Sequence, residues 1–224
     1  MRDSQTKNLS FTFFWKAGGT SREKPAPLFS CSKYVAERMI RHIPAPDNDK
    51  PHVYLEVGPE TGVVTDLFIK KLGANDTLHV VEIEENFYNY MKEKFKGDPR
   101  VIVHHKDITE WSLQDEAGHD VQFDAIATGI PLNNLPNKSI LKSILAAYER
   151  LIKPGKEITS VEYVLTGTIG QLFRGKEFQE LYKEKCDFYR KYASEPSAIV
   201  WSNFPLPARV HRLIFPKNEK EKTA

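Results

Sequence analysis

The 224-residue chain reads as an α/β protein: a Rossmann-like, seven-stranded, mostly parallel sheet with helices on both faces and an N-terminal aromatic-basic arm. Three observations predict this. The stretch 53–65, VYLEVGPETGVVT, is an apolar run that ends in Glu56, turns through Gly58, Pro59 and Gly62, and re-enters an apolar stretch of helical spacing. Such a strand–turn–helix unit binds a nucleotide-like ligand at the carboxyl end of its strand. Twenty residues past Gly62, a second apolar run, LHVVE, closes on Glu82. An acid there suits the two hydroxyls of a ribose. Further along, strand-like runs alternate with helical patterns, as in a parallel sheet wound on both faces.

The elements follow in order. Residues 1–8 are polar, and 9–16 (LSFTFFWK) crowd Leu9, Phe11, Phe13, Phe14 and Trp15 into one segment. On a helix, Phe11, Phe14 and Trp15 share a face. Gly18, Gly19, Pro25 and Pro27 break the chain before 32–43, where Val35, Met39 and Ile43 keep helical period. After a Pro-bounded loop at 44–51 come a strand at 53–57, a helix at 62–72, a strand at 78–82 and a helix at 85–95. Strands at 101–104 and 123–128, a helix at 137–152 and a strand at 157–165 continue the alternation. The charged and aromatic run 167–193 predicts a helix laid over the sheet. Two last strands, 198–202 and 209–215, are joined through 203–207. This divides the chain into an arm (1–24), a domain (25–216) and a solvated, disordered tail (217–224).

Composition bounds the function classes. With 40% hydrophobic and 28% charged residues the chain can bury a sizeable core. A formal charge of +2 is too small to announce a nucleic-acid protein, so any basic surface is local. Cys31 and Cys186 are far apart and lack metal-ligand spacing, as expected of lone thiols in a reducing cytosol. No apolar run reaches the roughly 18 residues of a membrane span. The N-terminus lacks the pattern of a signal peptide.

Charge distinguishes between ligands. A dinucleotide turn of the form G-x-G-x-x-G presents bare amides to a pyrophosphate. Here Glu60 takes the place of the middle glycine and Glu56 stands just before the turn. Two carboxylates repel a dianion but suit S-adenosylmethionine, which brings a sulfonium, an ammonium group and no phosphate. Asp107, after the third strand, is placed to accept from an adenine amino group, or else to cap the turn that follows. His104 and His105 are adjacent, point to opposite faces of a strand and read as structural. The fourth strand runs into TGIPLNNLP (128–136), where Gly129 and Pro131 fix a tight loop. Side chains and carbonyls of Ile130, Asn133 and Asn134 can there hold an acceptor amine in line with the sulfonium.

Together these segments resemble class I S-adenosylmethionine-dependent methyltransferases. More narrowly the chain resembles bacterial phospholipid N-methyltransferases, relatives of the rRNA adenine dimethylases. The resemblance is carried by FTFFWKAGGTSREKPAPLFSCSKYVAERM, LEVGPETGVVT, VVEIEENF, TGIPLNNLP and VWSNFPLPARVHRLIF, and spans residues 9–215. It implies that Glu56, Gly58, Glu60 and Gly62 frame the methionine end of the cofactor. By the same resemblance Glu82 and Ile83 meet the ribose, Asp107 and Ile108 the adenine, and Thr128 and Gly129 the reacting end. Ile130, Asn133, Tyr163 and Arg209 would serve the acceptor, with Arg209 on a lipid phosphate. The chain departs from the family at Glu60, where glycine is usual, and this acid would crowd the methionine carboxylate.

The implied enzyme methylates the amine of phosphatidylethanolamine. It would be a cytoplasmic monomer held at the inner face of an anionic membrane through residues 9–24, with no nucleic-acid partner. Three alternatives stay open: an rRNA or tRNA base methyltransferase, a small-molecule methyltransferase with the arm as a lid, and a binding module with a degenerate cofactor pocket. Against the first stand the near-neutral charge, the lack of an appended RNA-binding domain, and TGIPL where an aromatic could stack a flipped base.

Overall fold

The computed structural model describes residues 31–47, 49–164, 175–202 and 207–216. The arm at 1–24 and the tail at 217–224 lie outside the described residues, as does the link at 203–206. Helix α1 (Lys33–Met39) opens the described chain, with the Ser32 hydroxyl accepting from the Val35 amide. It is shorter than the predicted 32–43, because the chain unwinds into a turn ahead of Pro44. Strand β1 (Val53–Val57) and helix α2 (Val63–Phe68, extended by a 3₁₀ turn at Ile69–Lys71) come next. They are followed by β2 (Thr77–Glu82), α3 (Glu85–Phe95), β3 (Val101–His105) and β4 (Phe123–Thr128). The carboxylate of Glu84 caps α3 through the Phe87 amide at 2.9 Å. Helix α4 (Lys138–Leu151) is capped by Asn137, whose side chain accepts from Ile140 at 3.0 Å.

Strand β5 (Ile152–Tyr163) begins directly at the end of α4. It starts five residues earlier than predicted because Gly155, at φ +77°, carries the chain through an irregularity in the pairing with β4. Helix α5 (Lys176–Tyr192) covers the described part of the predicted 167–193 helix, the residues 165–174 lying outside. Strands β6 (Ala198–Val200) and β7 (Ala208–Ile214) close the chain.

Among the described residues these strands form one sheet in the order β3-β2-β1-β4-β5-β7-β6. Pairing is parallel from β3 to β5, and β7 runs antiparallel to both β5 and β6. From β1 the chain winds outward to β2 and β3, then returns to β4 on the other side. The switch point therefore lies between β1 and β4, the place where such sheets leave a crevice at their carboxyl ends. Every residue of β4 is buried, as is all of β1 and β2 except the first residue of each, which is why these runs are apolar without alternation. Edge strand β3 instead leaves Ile102 and His105 exposed.

Two apolar layers flank the sheet. One packs Val35, Met39, Phe68 and Met91 from α1, α2 and α3 against Tyr54, Val80 and Val161. The other packs Leu141, Tyr148, Leu181 and Tyr189 from α4 and α5 against Leu55, Ile126 and Ile158. His104 belongs to the core below β3: its Nε2 lies 2.9 Å from His79 Nδ1, and both rings pack on Trp111. Burial pulls the His79 imidazole down to about 4, so the pair stays neutral.

Candidate cofactor site

Backbone bonds knit the carboxyl ends of three strands into one rim. The Gly58 amide donates to the Val81 carbonyl at 3.0 Å, and the Gly129 amide to the Val57 carbonyl at 2.8 Å. Gly58 (φ +68°), Glu60 (φ +51°) and Gly62 (φ +77°) all hold left-handed backbone, so the turn curls over the end of β1. Gly62 then sits at the start of α2, tight against Met91.

This rim borders a cleft of about 430 Å³, open mouth included, whose walls include Glu56, Gly58, Glu60, Gly129, Val161 and Tyr163. Glu56 is buried and accepts from the Thr65 hydroxyl at 2.6 Å. Burial pushes its carboxyl up to about 7, with Asp66 and Glu82 acting in the same direction against Thr65 and Lys94. Burial and the neighbouring Glu82 push Glu60 up to about 8. Glu82 is buried as well, and burial raises it to about 7 although the amides of Glu84, Ile83 and Glu60 donate to it. Its Oε1 accepts from Glu84 at 2.9 Å.

Glu56 and Glu82, both buried, and Glu60, half-buried, thus converge on the strand ends, where a cationic occupant would favour their ionised forms. Glu82 lies along the rim beyond the cleft walls. Asp107 is half-buried after β3, and its Oδ1 accepts from the amide (2.9 Å) and hydroxyl (2.8 Å) of Thr109. The turn-capping role is therefore realised. Ile108 is a core residue at 4% exposure, while Ile83 is half-buried with its carbonyl on His105. Thr128 is buried, its hydroxyl 2.6 Å from the Tyr148 hydroxyl and within 3.3 Å of the Ile130 amide, so it fixes the loop from beneath.

A second chamber, of about 320 Å³ with its mouth, shares Gly129, Val161 and Tyr163 with the first and reaches Pro131, Asn133 and Lys185. Here the geometry corrects two expectations. Ile130 is buried in the core and packs over Gly58. The Asn133 carboxamide, 3% exposed, is taken up inside the protein: it donates to Glu162 at 2.8 Å and accepts from Lys185 at 2.5 Å. Both side chains turn inward, Ile130 because it is apolar and Asn133 because a buried acid and a buried ammonium claim it.

Lys185 is 1% exposed, lies 3.0 Å from Glu162 and completes a network with His211, whose Nε2 is 3.1 Å from Glu162. Burial alone would raise the Glu162 carboxyl, but the His211 ring, the Lys185 ammonium and Asn133 hold it down at about 2. Tyr163 is half-buried on both chambers, and burial, Glu60 and Cys31 raise its phenol far above the usual value, leaving it a neutral donor. Arg209 lines neither chamber. It sits on β7 opposite Glu162, and its Nε is buried with no hydrogen-bond partner among the described residues.

Sequence reasoning missed Thr65, Cys31, Glu162 and Lys185. Thr65 carried a faint signal, being placed on the helix turn that faces the strand end. Cys31 lines the cleft, where burial and the acids Glu60 and Glu56 push its thiol up to about 12, so it is no nucleophile. Glu162 and Lys185 lie 23 residues apart on different elements, and no local pattern joins them.

A Rossmann-like sheet with this switch point, this turn and these acids defines a class I S-adenosylmethionine-dependent methyltransferase. The family model for ribosomal RNA adenine dimethylase matches residues 29–150, and the chain belongs to that family. A relative, ribosomal RNA small subunit methyltransferase A of Dehalococcoides mccartyi, is 27% identical over 146 residues, which are 62% of this chain and 47% of the relative. The chain thus spans about half the length of that relative. Among solved structures, the O-methyltransferase TomG of Streptomyces achromogenes in complex with S-adenosylmethionine superposes with a TM-score of 0.63 at 14% identity, covering 96% of this chain and all of that one. The N-methyltransferase NodS of Bradyrhizobium japonicum in complex with S-adenosylhomocysteine gives 0.51 at 14% identity, over 74% of this chain and 79% of that one. At these identities the structures bear on the fold alone.

These matches overturn the expectation of a phospholipid substrate without a nucleic-acid partner, since the family and the relative are both named for ribosomal RNA. The resemblance to lipid enzymes rested on five segments across residues 9–215, the arm, the loop 128–136 and the closing hairpin among them. The arm lies outside the described residues, and the inward-facing Asn133 removes part of what the loop was to supply.

Proposed function

We propose that this methyltransferase acts on a base nitrogen of RNA, an adenine amine being the first candidate. The observation that carries the reading is the family match across 29–150, which spans β1 to β4 and the loop that borders both chambers. In this reading the cofactor lies along the first cleft. Glu82 takes its ribose, Asp107 its adenine, and Glu56 and Glu60 face its cationic methionine end. The acceptor base enters the second chamber, where the backbone of Gly129–Pro131 holds its amine toward the sulfonium. Methyl transfer is an in-line displacement, so holding the two partners in line is most of the catalysis the protein supplies. Tyr163, on the wall of both chambers, remains a neutral hydroxyl that can donate to the base. Arg209, whose charge is felt by Lys185 at the second chamber, offers a guanidinium fork to a backbone phosphate.

No aromatic stands in the loop to stack a flipped base, so a single-stranded or unpaired adenine is the substrate this site admits at least cost. The test is to incubate the protein with methyl-labelled S-adenosylmethionine and a cell extract, then separate RNA, lipid and soluble metabolites. Label in RNA supports the reading, and label confined to either other fraction overturns it.

A further inference from the structure

Glu60 is the one non-glycine residue with left-handed backbone among the described residues. Glycine adopts that conformation freely, whereas a residue with a Cβ is held there only by its surroundings. The side chain so placed is a carboxyl on the wall of the cofactor cleft, beside Glu56 and Gly58. The groups that face it are Glu56 from β1, Glu82 from β2, Tyr163 from β5 and Cys31 ahead of α1, none of them cationic. Lys94 of α3, bonded to the carbonyl of the neighbouring Thr61 at 3.0 Å, is held by Asp66 at 2.7 Å. Strain and desolvation are thus both accepted at a position that glycine would fill without either.

We propose that Glu60 selects the charged cofactor: its carboxyl favours S-adenosylmethionine over the demethylated product, S-adenosylhomocysteine. The inference rests on the cofactor reading of the cleft. The two ligands share an ammonium and a carboxylate and differ in one charge, the sulfonium. In the free protein the Glu60 carboxyl keeps its proton near neutral pH, because burial and Glu82 hold it up to about 8. When the sulfonium arrives, the carboxyl ionises and the proton passes to solvent. In methyl transfer the acceptor nitrogen's lone pair would form the new C–N bond, the C–S bond would break with its electron pair left on sulfur, and the nitrogen would give up its extra proton to solvent. The product sulfur is neutral, so Glu60 takes a proton back from solvent and the product is held less tightly. What crowds the methionine carboxylate in one state therefore helps to release the product in the other.

The experiment is calorimetric titration of the full chain with each ligand, at neutral pH, in two buffers of different ionisation enthalpy. Wild type, Glu60→Gln and Glu60→Gly are compared, together with their melting temperatures. Wild type should release more protons on binding S-adenosylmethionine than on binding S-adenosylhomocysteine. In both variants that excess should shrink, leaving only what Glu56 and Glu82 release, and the preference for S-adenosylmethionine should fall about tenfold, the equivalent of one pKa unit. Glu60→Gly should also melt higher than wild type without ligand, since strain and a partly desolvated acid are removed together. An unchanged preference and proton count in Glu60→Gln overturns the inference while leaving the cofactor site intact. Failure of wild type to bind either ligand overturns the cofactor reading and the inference with it.

Discussion

Gly129 and Gly58 meet backbone to backbone: a Cβ built on Gly129 would lie 2.4 Å from the Gly58 carbonyl oxygen. Neither atom can yield without parting β1 from β4, because the Gly129 amide also bonds Val57. The contact sets the width of the crevice at the switch point and joins the cofactor cleft to the second chamber.

Gly129→Ala should therefore damage both stability and the site. Forcing a methyl into a closed contact costs about 1–3 kcal/mol, and the rim amides lose their alignment. Denaturant unfolding should show a loss in that range, with S-adenosylmethionine affinity reduced at least about tenfold, roughly one 1.4 kcal/mol step. A variant that binds like wild type would mean that the contact does not shape the cleft.

Glu82→Ala addresses the ribose. Losing hydrogen bonds to a charged group should weaken cofactor binding by roughly 1–3 kcal/mol, measured by calorimetry. Unfolding of the free protein should be little affected or favour the variant, because a buried carboxyl is removed. A destabilised variant with normal affinity would return Glu82 to a structural role.

The pH dependence of stability should have two limbs of opposite sign. Glu56, Glu60 and Glu82 are raised from 4.5 to about 7, 8 and 7, so their neutral forms favour the fold. What they contribute is present in full below 4.5 and is lost as pH rises through about 7 and then 8. Glu162 is lowered to about 2, so its contribution is present above 4.5 and disappears as pH falls toward about 2. Unfolding curves across this range should show the alkaline fall flatten in saturating S-adenosylmethionine, because a bound cation favours the ionised acids. An alkaline limb insensitive to ligand would contradict the placement of the sulfonium among these carboxyls.

Lys185→Met should be severe. It leaves Glu162 buried without its ammonium, a loss of about 3–5 kcal/mol for a broken buried pair, and it removes the Lys185 donor to the Asn133 carboxamide oxygen. Lys185→Met combined with Glu162→Gln should regain much of that stability, since no unpaired charge remains. Equal instability of single and double variants would show that the pair does not act as a unit.

Much of this was legible because it is local. The apolar runs of β1, β2 and β4 and the helices between them give an alternation that survives any detail of packing, and Gly58, Gly62 and Glu82 mark the crevice by spacing alone. The glutamate standing at position 60 in place of glycine was visible as a departure, although its left-handed backbone was not. What was not legible depends on contacts between distant segments. Asn133 reads as a free polar residue until Lys185 and Glu162 are brought to it from α5 and β5. Ile130 reads as loop until Gly58 packs beneath it. Arg209 carries no mark in the sequence that distinguishes a phosphate ligand from a strand residue opposite an acid. The phospholipid expectation drew on the resemblance and on the aromatic-basic arm, and the argument against RNA drew partly on net charge, a whole-chain quantity that says little about the local surface an RNA would meet.

The central claim is methyl transfer from S-adenosylmethionine to a base nitrogen of RNA, and mass spectrometry of nucleosides tests it most directly. RNA treated with the protein and S-adenosylmethionine, then digested to nucleosides, should contain methylated adenosine that is absent when Glu82→Ala protein is used at the same cofactor concentration. RNA free of new methyl groups, in the presence of a wild-type protein that turns S-adenosylmethionine over on another acceptor, would contradict the account.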